Sequence, residues 1–468
     1  MNAFFNVMLG YLARCGNFLR KKQVRTPALI VIALGITFFV GGMTSIFEFR
    51  GSSWPHVIRY KTIEILGLAK FAGLEGGVNF SSARYEFVTI FKANTPGVFQ
   101  LTTTDTKNIL GIERSSGQLL LLTPDGKSYT EKIISPSVFP KDADGKPIFN
   151  AAKTLVNSKP PIVMGVLYTD KKLLYSLAVQ EKVNKKECQA LVLYEVPLPS
   201  LDTAPTGLIE RFRTPCIADL QNGVMWAGRI VRNNEKIFLS IGEQRYDRSQ
   251  YPKTDMVSAA DLVVTKTVFG KILAFDPVTY KYEIYSTGHR NAQGLFWDND
   301  NKRLLSSEHG PNGGDELNVI TKGGHYGWPT VTYGKPYPTM FPSGEPEVND
   351  SKNPGTGVDV SPTRKGIFSG THDGFLPPLM SWSPGTGMGN LFHVALNSPL
   401  KDWRNDIIVA MMGESRLHRL RLHKGAVVFD ENININARVR DLFLLSTGDI
   451  ALGLDKGALV IIRVADDV

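Results

Sequence analysis

Along most of the chain, apolar residues come in short runs cut by glycine, proline, asparagine and aspartate. Residues 117–122 (GQLLLL) end at Pro124-Asp125-Gly126, and 172–179 (KLLYSLAV), 191–196 (LVLYEV), 236–242 (KIFLSIG) and 271–275 (KILAF) follow. The C-terminal third continues with 406–410 (DIIVA), 417–422 (LHRLRL), 449–453 (DIALG) and 458–462 (ALVII). Runs of this length bounded by turn residues predict strands, and helical spacing is scarce after residue 75. Strands this dense without intervening helices imply an antiparallel all-β body. A propeller fits best, because radial repetition leaves only short edges; an array of β-sandwiches is the rival. No identical repeat is visible, so periodicity sets no blade count.

Two stretches break the β pattern. Residues 58–72 (IRYKTIEILGLAKFA) have helical apolar spacing and are expected to lie in a juxtamembrane connector, 48–95. Residues 27–47 carry no charge and are long enough to cross a bilayer as a helix. Arg14, Arg20, Lys21, Lys22 and Arg25 precede them, and no acidic residue occurs before Glu48. That asymmetry predicts a cytoplasmic segment 1–26, a single-pass anchor 27–47 in the inner (cytoplasmic) membrane and an exported, periplasmic body. A cleaved signal peptide is the rival, but the basic region is long and no A-x-A site follows. The apolar positions ahead of the anchor suit either an interfacial helix or a disordered tail.

Charge changes the picture little. The chain carries 53 basic and 44 acidic residues, +9 in all. With the five basic residues of the flank set aside, 48 face 44, about +4, so nucleic acid is not an expected partner. Three cysteines, at 15, 188 and 216, exclude a disulfide scaffold and show no C-x-x-C metal spacing. Cys188 and Cys216 fall in the exported body, where one bridge persists if their strands are consecutive and antiparallel.

The chemistry concentrates in 286–334, STGHRNAQGLFWDNDNKRLLSSEHGPNGGDELNVITKGGHYGWPTVTYG. His289-Arg290-Asn291 precedes one strand pair and Glu308-His309-Gly310-Pro311 follows it, as loops meeting at one end of a β structure require. This block resembles the signature of the soluble-type, PQQ-dependent glucose/sorbosone (aldose sugar) dehydrogenases, which are six-bladed propellers. ERSSGQLLLLTPDG (113–126), AGRIVRNNEKIFLSIGEQ (227–244), WRNDIIVAMMGESRLHRLRL (403–422) and RVRD (438–441) extend the resemblance over about 110–468. It implies a propeller at 96–468 that oxidises an aldose-type sugar with the tricarboxylate quinone PQQ. Residues 330–381, rich in proline, glycine and charge, are expected as a long loop over the strands.

The resemblance also implies a site. A tricarboxylate needs fixed cations, and the family's Arg-Asn and R-x-R pairs persist as Arg290-Asn291 and Arg438/Arg440. Strand residues two apart point the same way, so Arg438 and Arg440 suit one anion. Calcium beside the quinone would take the Gly310-Pro311 carbonyls, and a second calcium the positions of Glu316 and Tyr326. Three positions depart from the family. The base histidine of H-x-x-G-R is replaced in Met225-Trp226-Ala227-Gly228-Arg229, the quinone-contacting Gln aligns with Pro160, and the contacting Lys with Gly413. A thioether is no base near neutral pH. His289, His309 and His325 are expected as packed or hydrogen-bonded residues rather than a relocated base, and Glu243 as a solvated or structural carboxylate. Two functions stay open: PQQ-dependent aldose oxidation with an altered base, or a catalytically impaired propeller serving as a binding or assembly module for a protein partner. A lactonase-like hydrolase is a third.

Overall fold

The computed structural model describes residues 87–104, 107–141, 161–183, 186–205, 207–218, 225–244, 267–311, 313–334, 368–455 and 457–464. The predicted cytoplasmic segment, the apolar run 27–47, the stretch 58–72 and Pro160 lie outside them. Among the described residues no helix is long and apolar enough to cross a membrane.

Six antiparallel sheets form the body, and strand β1 (Phe87–Lys92) belongs to the last of them. The first holds β2 (Phe99–Thr103), β3 (Ile109–Glu113), β4 (Leu119–Asp125) and β5 (Ser128–Ser135). The second holds β6 (Ile162–Thr169), β7 (Lys172–Val183) and β8 (Lys186–Pro197), with β9 (Ile209–Arg213) and β10 (Ile217–Ala218) sharing the outer edge of β8. In the third come β11 (Ala227–Arg232), β12 (Ile237–Ile241), β13 (Lys271–Phe275) and β14 (Tyr282–Thr287). The fourth has β15 (Ala292–Asp298), β16 (Arg303–Glu308) and β17 (Asp315–Ile320); after β18 (Val331–Thr332) and β19 (Phe368–Ser369), which pair with each other, β20 (Met380–Trp382) completes it. The fifth is β21 (Met388–His393), β22 (Asp406–Met411), β23 (Arg416–His423) and β24 (Ala426–Asn434). The sixth is β25 (Val439–Leu444), β26 (Ile450–Leu454) and β27 (Ala458–Val464), with β1 outermost.

The innermost strands β2, β6, β11, β15, β21 and β25 neighbour one another in that order, and β25 returns to β2. This is a closed six-bladed propeller, as expected. Pairing of β1 with β27 draws a strand from near the start of the body into the last blade, which ties the ring shut. Two sequence-based boundaries shift. β1 lies inside the stretch expected as connector, and 330–381 is not all loop, since β20 there pairs with β17.

Burial on both faces explains why the strands read as unbroken apolar runs. Along β4, Leu119 and Leu121 enter the cluster shared with blade two, while Leu120 and Leu122 enter the one shared with blade six. On β22, Ile408 and Ala410 face blade six, whereas Ile407, Val409 and Met411 face blade four. The six described hydrophobic clusters are the six seams between blades. A strand that packs on both sides needs no polar alternation.

Five innermost strands, β6, β11, β15, β21 and β25, carry a register shift near their start. Such bulges bend a strand and re-aim its side chains. They fall where adjacent blades nearly touch: a Cβ on Gly165 would meet the Gly228 carbonyl oxygen at 2.3 Å, and one on Gly389 the Val439 carbonyl oxygen at 2.7 Å. Cys188 and Cys216 are disulfide-bonded, with Cα atoms 5.6 Å apart. The bridge closes the β8–β10 edge, where Ala218 lies opposite Cys188, rather than the β8–β9 pairing the spacing suggested.

Candidate active site at the mouth of the propeller

Strand register brings the expected residues to one end. Phe99 lies opposite Glu113, Ala227 opposite Ile241, Ala292 opposite Glu308, Met388 opposite Met411 and Val439 opposite Leu454. The innermost strands therefore all begin at the end where the second strands finish. Arg114, Glu243, His309-Gly310, Met412-Gly413 and Asp455 follow those second strands, and Met225, Arg290-Asn291, Arg438 and Arg440 stand at the starts of the innermost ones.

Arg290 is 3% exposed and fixed from several sides. Its backbone N–H donates to Glu308 Oε1, and its guanidinium lies over the Trp328 ring, 5.3 Å from the centroid. Nη1 donates to the carbonyl oxygens of His309 (3.2 Å) and Gly310 (2.5 Å). Asn291 Oδ1 accepts from the backbone of Ala227 at 3.2 Å, which ties the Arg-Asn pair to the strand beside Met225. Gly288, Trp328 and Thr332 line the same pocket with Arg290, His309 and Gly310.

Arg438 and Arg440 do converge on one carboxylate, but it is the protein's own. Asp455 Oδ2 accepts from Arg438 Nε (3.1 Å) and Arg440 Nη2 (2.9 Å), and its Oδ1 accepts from Arg440 Nε (2.5 Å). Burial would raise the Asp455 carboxyl, yet the two guanidiniums outweigh it and hold it below the ordinary carboxylate value. Arg440 Nη1 reaches Gln293 Oε1 at 3.5 Å.

Two further arginines complete the axial cations, and sequence reading assigned neither a role. Arg229 Nη1 donates to Asp441 Oδ2 at 2.8 Å, and Asp441 also accepts from Leu101 N and Asn390 Nδ2, stapling four blades at the axis. Arg114 donates to the Val163 carbonyl (3.0 Å) and the Met164 sulfur (3.4 Å), and no described carboxylate pairs with it. Burial, then Arg440 and Arg229, push its guanidinium down to about 9, with Asp455 and Glu113 opposing.

Met225 is partly buried, and its carbonyl accepts from Gln244 Nε2 at 3.2 Å. Three described histidines are expected as packed or hydrogen-bonded residues rather than as a base. His289 is held by Glu308 (3.0 Å) and Ser286 (2.8 Å), and its ring stacks on Tyr326 with centroids 4.9 Å apart. His325 Nδ1 accepts from the Gly327 N–H, and its ring packs on Phe375; burial, with His289 and Lys271, pushes it down to about 4. His309 is likewise lowered, by burial first, with Arg290 and Arg440 adding to it and Asp315 opposing. Glu243 is buried rather than solvated, its backbone N–H donating to the Arg290 carbonyl. At Gly413 a Cβ would meet the Thr386 carbonyl oxygen at 2.5 Å, so no lysine fits on this backbone.

The calcium positions fit poorly. The Gly310 carbonyl already accepts from Arg290. Glu316 Oε1 is paired with His372 Nε2 at 2.7 Å and Oε2 accepts from Asn318 at 3.2 Å; burial, against the pull of His372, raises this carboxyl. The Tyr326 hydroxyl donates to the Val319 carbonyl at 2.6 Å. Arg114, in contrast, has no described carboxylate within hydrogen-bonding distance.

Known proteins share this fold and sequence. Quinoprotein glucose dehydrogenase B of Acinetobacter calcoaceticus is 27% identical over 57% of this chain and 58% of its own length. Aldose sugar dehydrogenase YliI of Escherichia coli (strain K12) is 35% identical over 25% of this chain and 32% of its own. The chain thus spans less than two thirds of either relative. A solved glucose dehydrogenase structure superposes with a TM-score of 0.59 over 82% of this chain and 99% of that one, at 22% identity, which speaks for the fold alone. The Glucose / Sorbosone dehydrogenase family model matches residues 166–463, most of the propeller, and the chain belongs to that family.

Proposed function

We propose that the propeller mouth binds a polycarboxylate ortho-quinone of the pyrroloquinoline type and oxidises an aldose-type sugar there, slowly. One observation carries this reading: Arg114, Arg229, Arg290, Arg438 and Arg440 gather at one mouth, and Arg114 lacks a described carboxylate partner. Arg290 and Arg114 would hold the carboxylates, with Arg440, paired with Asp455, adding charge nearby and Asn291 fixing the strand start beside them. Such a quinone, when bound, supplies the two-electron acceptor for alcohol oxidation. The chain's own part is to orient the anion and to keep water from it with Trp328. No step is assigned to calcium.

Met225 and Gly413 favour a second reading, a binding or assembly module that keeps the pocket without turnover. Titration of pyrroloquinoline quinone, followed by dye-linked aldose oxidation, separates the two. In the enzymatic reading the quinone binds, and Met225→His raises the rate by about 10²-fold or more, the usual worth of a positioned base. Binding with no oxidation by either protein would favour the module; no binding would overturn the enzymatic reading and leave the module.

The same proposal places the propeller outside the cytoplasm, tethered to the inner membrane by residues 27–47. The uncharged run and its basic flank support this, as does the Cys188–Cys216 bridge, a bond that persists in oxidising compartments.

A further inference from the structure

We infer that the Arg290 guanidinium takes the place of a divalent cation in this pocket, so that the anionic ligand binds without a metal ion. The inference rests on the quinone-binding reading above. A hard cation there needs carbonyl and carboxylate oxygens. Of the Gly310-Pro311 carbonyls that the resemblance implies, that of Gly310 accepts from Arg290 Nη1, as does the neighbouring His309 carbonyl.

Three carboxylates stand around the same loop, and every oxygen of each already accepts from or pairs with a donor. Glu308 Oε1 accepts from the backbone of Arg290 and Asn291, and Oε2 pairs with His289. Asp315 Oδ1 accepts from Gly310 N, and Oδ2 from the backbone of Thr386 and Gly387. Glu316 is divided between His372 and Asn318.

Arg290 is also unsuited to step aside, being buried, anchored through its own N–H and stacked on Trp328. A divalent ion at the Gly310 carbonyl would have to displace a desolvated guanidinium or sit against its like charge. A planar guanidinium offers a carboxylate two parallel donors, which a metal ion would otherwise replace.

The test titrates pyrroloquinoline quinone into the full chain, reading tryptophan fluorescence, in excess EDTA and in excess calcium. The expected affinities agree within about twofold. Binding that falls about tenfold or more in EDTA and returns with calcium overturns the inference while leaving the quinone reading intact. Absence of binding in both buffers overturns the reading and the inference with it.

Arg290→Ala supplies an independent check, because it frees the Gly310 carbonyl. That variant should lose about tenfold or more of its affinity in EDTA and recover part of it with calcium. Wild-type affinity of Arg290→Ala in EDTA would show that Arg290 is not the cation. Should the variant fail to fold, the comparison on the unmodified protein still decides.

Discussion

At the residue scale, the most consequential side chain is one that no motif announced. Asp455 neutralises both members of the R-x-R pair, so an incoming carboxylate meets guanidiniums already engaged. Its folded carboxyl is held below the ordinary value of 3.8. A depressed carboxyl stabilises the fold fully above the unfolded value, and that stabilisation is lost as pH falls through the lowered folded value. Asp455→Asn should therefore cost about 1–3 kcal/mol at neutral pH, and the difference from the unmodified protein should shrink on acidification. Urea unfolding at neutral and acid pH measures both; an equal difference at the two would place the stabilisation elsewhere. Arg438 and Arg440 were legible from the family resemblance, which their two-residue spacing on a strand supported. Asp455, fifteen residues past Arg440 in chain order, reaches them only because β25 and β26 are paired.

At the element scale, the strands were legible because a blade strand buried on both faces shows as a short apolar run with turn residues at each end. KIFLSIG became β12 and KILAF became β13. Legibility failed where pattern and role separate. β20, three residues long, sits inside a proline- and glycine-rich stretch, and its strand identity comes from pairing with β17. β1 is exposed at several positions and takes its place from β27. Seam packing carries the stability of such strands. Leu239, fully buried in the seam between blades two and three, should cost about 2–5 kcal/mol when cut to alanine. A shift in the urea midpoint reads this, and a change below about 1 kcal/mol would mean that the seam collapses around the gap.

At the scale of the whole molecule, closure of the ring makes the site. The five mouth arginines come from blades one, three, four and six or the turns that flank them. Asp441 binds Leu101, Arg229 and Asn390 across the axis. Placement in the cell is a separate matter, on which the residues before the propeller bear. If residues 27–47 anchor the chain with its basic flank in the cytoplasm, protease added to intact spheroplasts should digest the propeller. A protected propeller would reverse that topology.

The sequence by itself determined the class of fold, because two-sided burial and turn chemistry are local properties written in short runs. Set beside the family pattern, it also marked the cationic pairs and Met225 in place of histidine, since a residue type at a fixed spacing needs no coordinates to be seen. Tertiary structure decided which charges meet. Whether an arginine faces an empty pocket, an aspartate or a carbonyl depends on register, bulges and ring closure between residues hundreds of positions apart. Arg290 was thus expected as an anion-binding residue from its resemblance to the family pair, while its hold on the His309 and Gly310 carbonyls was not legible. Coulomb and hydrogen-bond energies fall off over a few ångströms, and only the folded ring sets those distances.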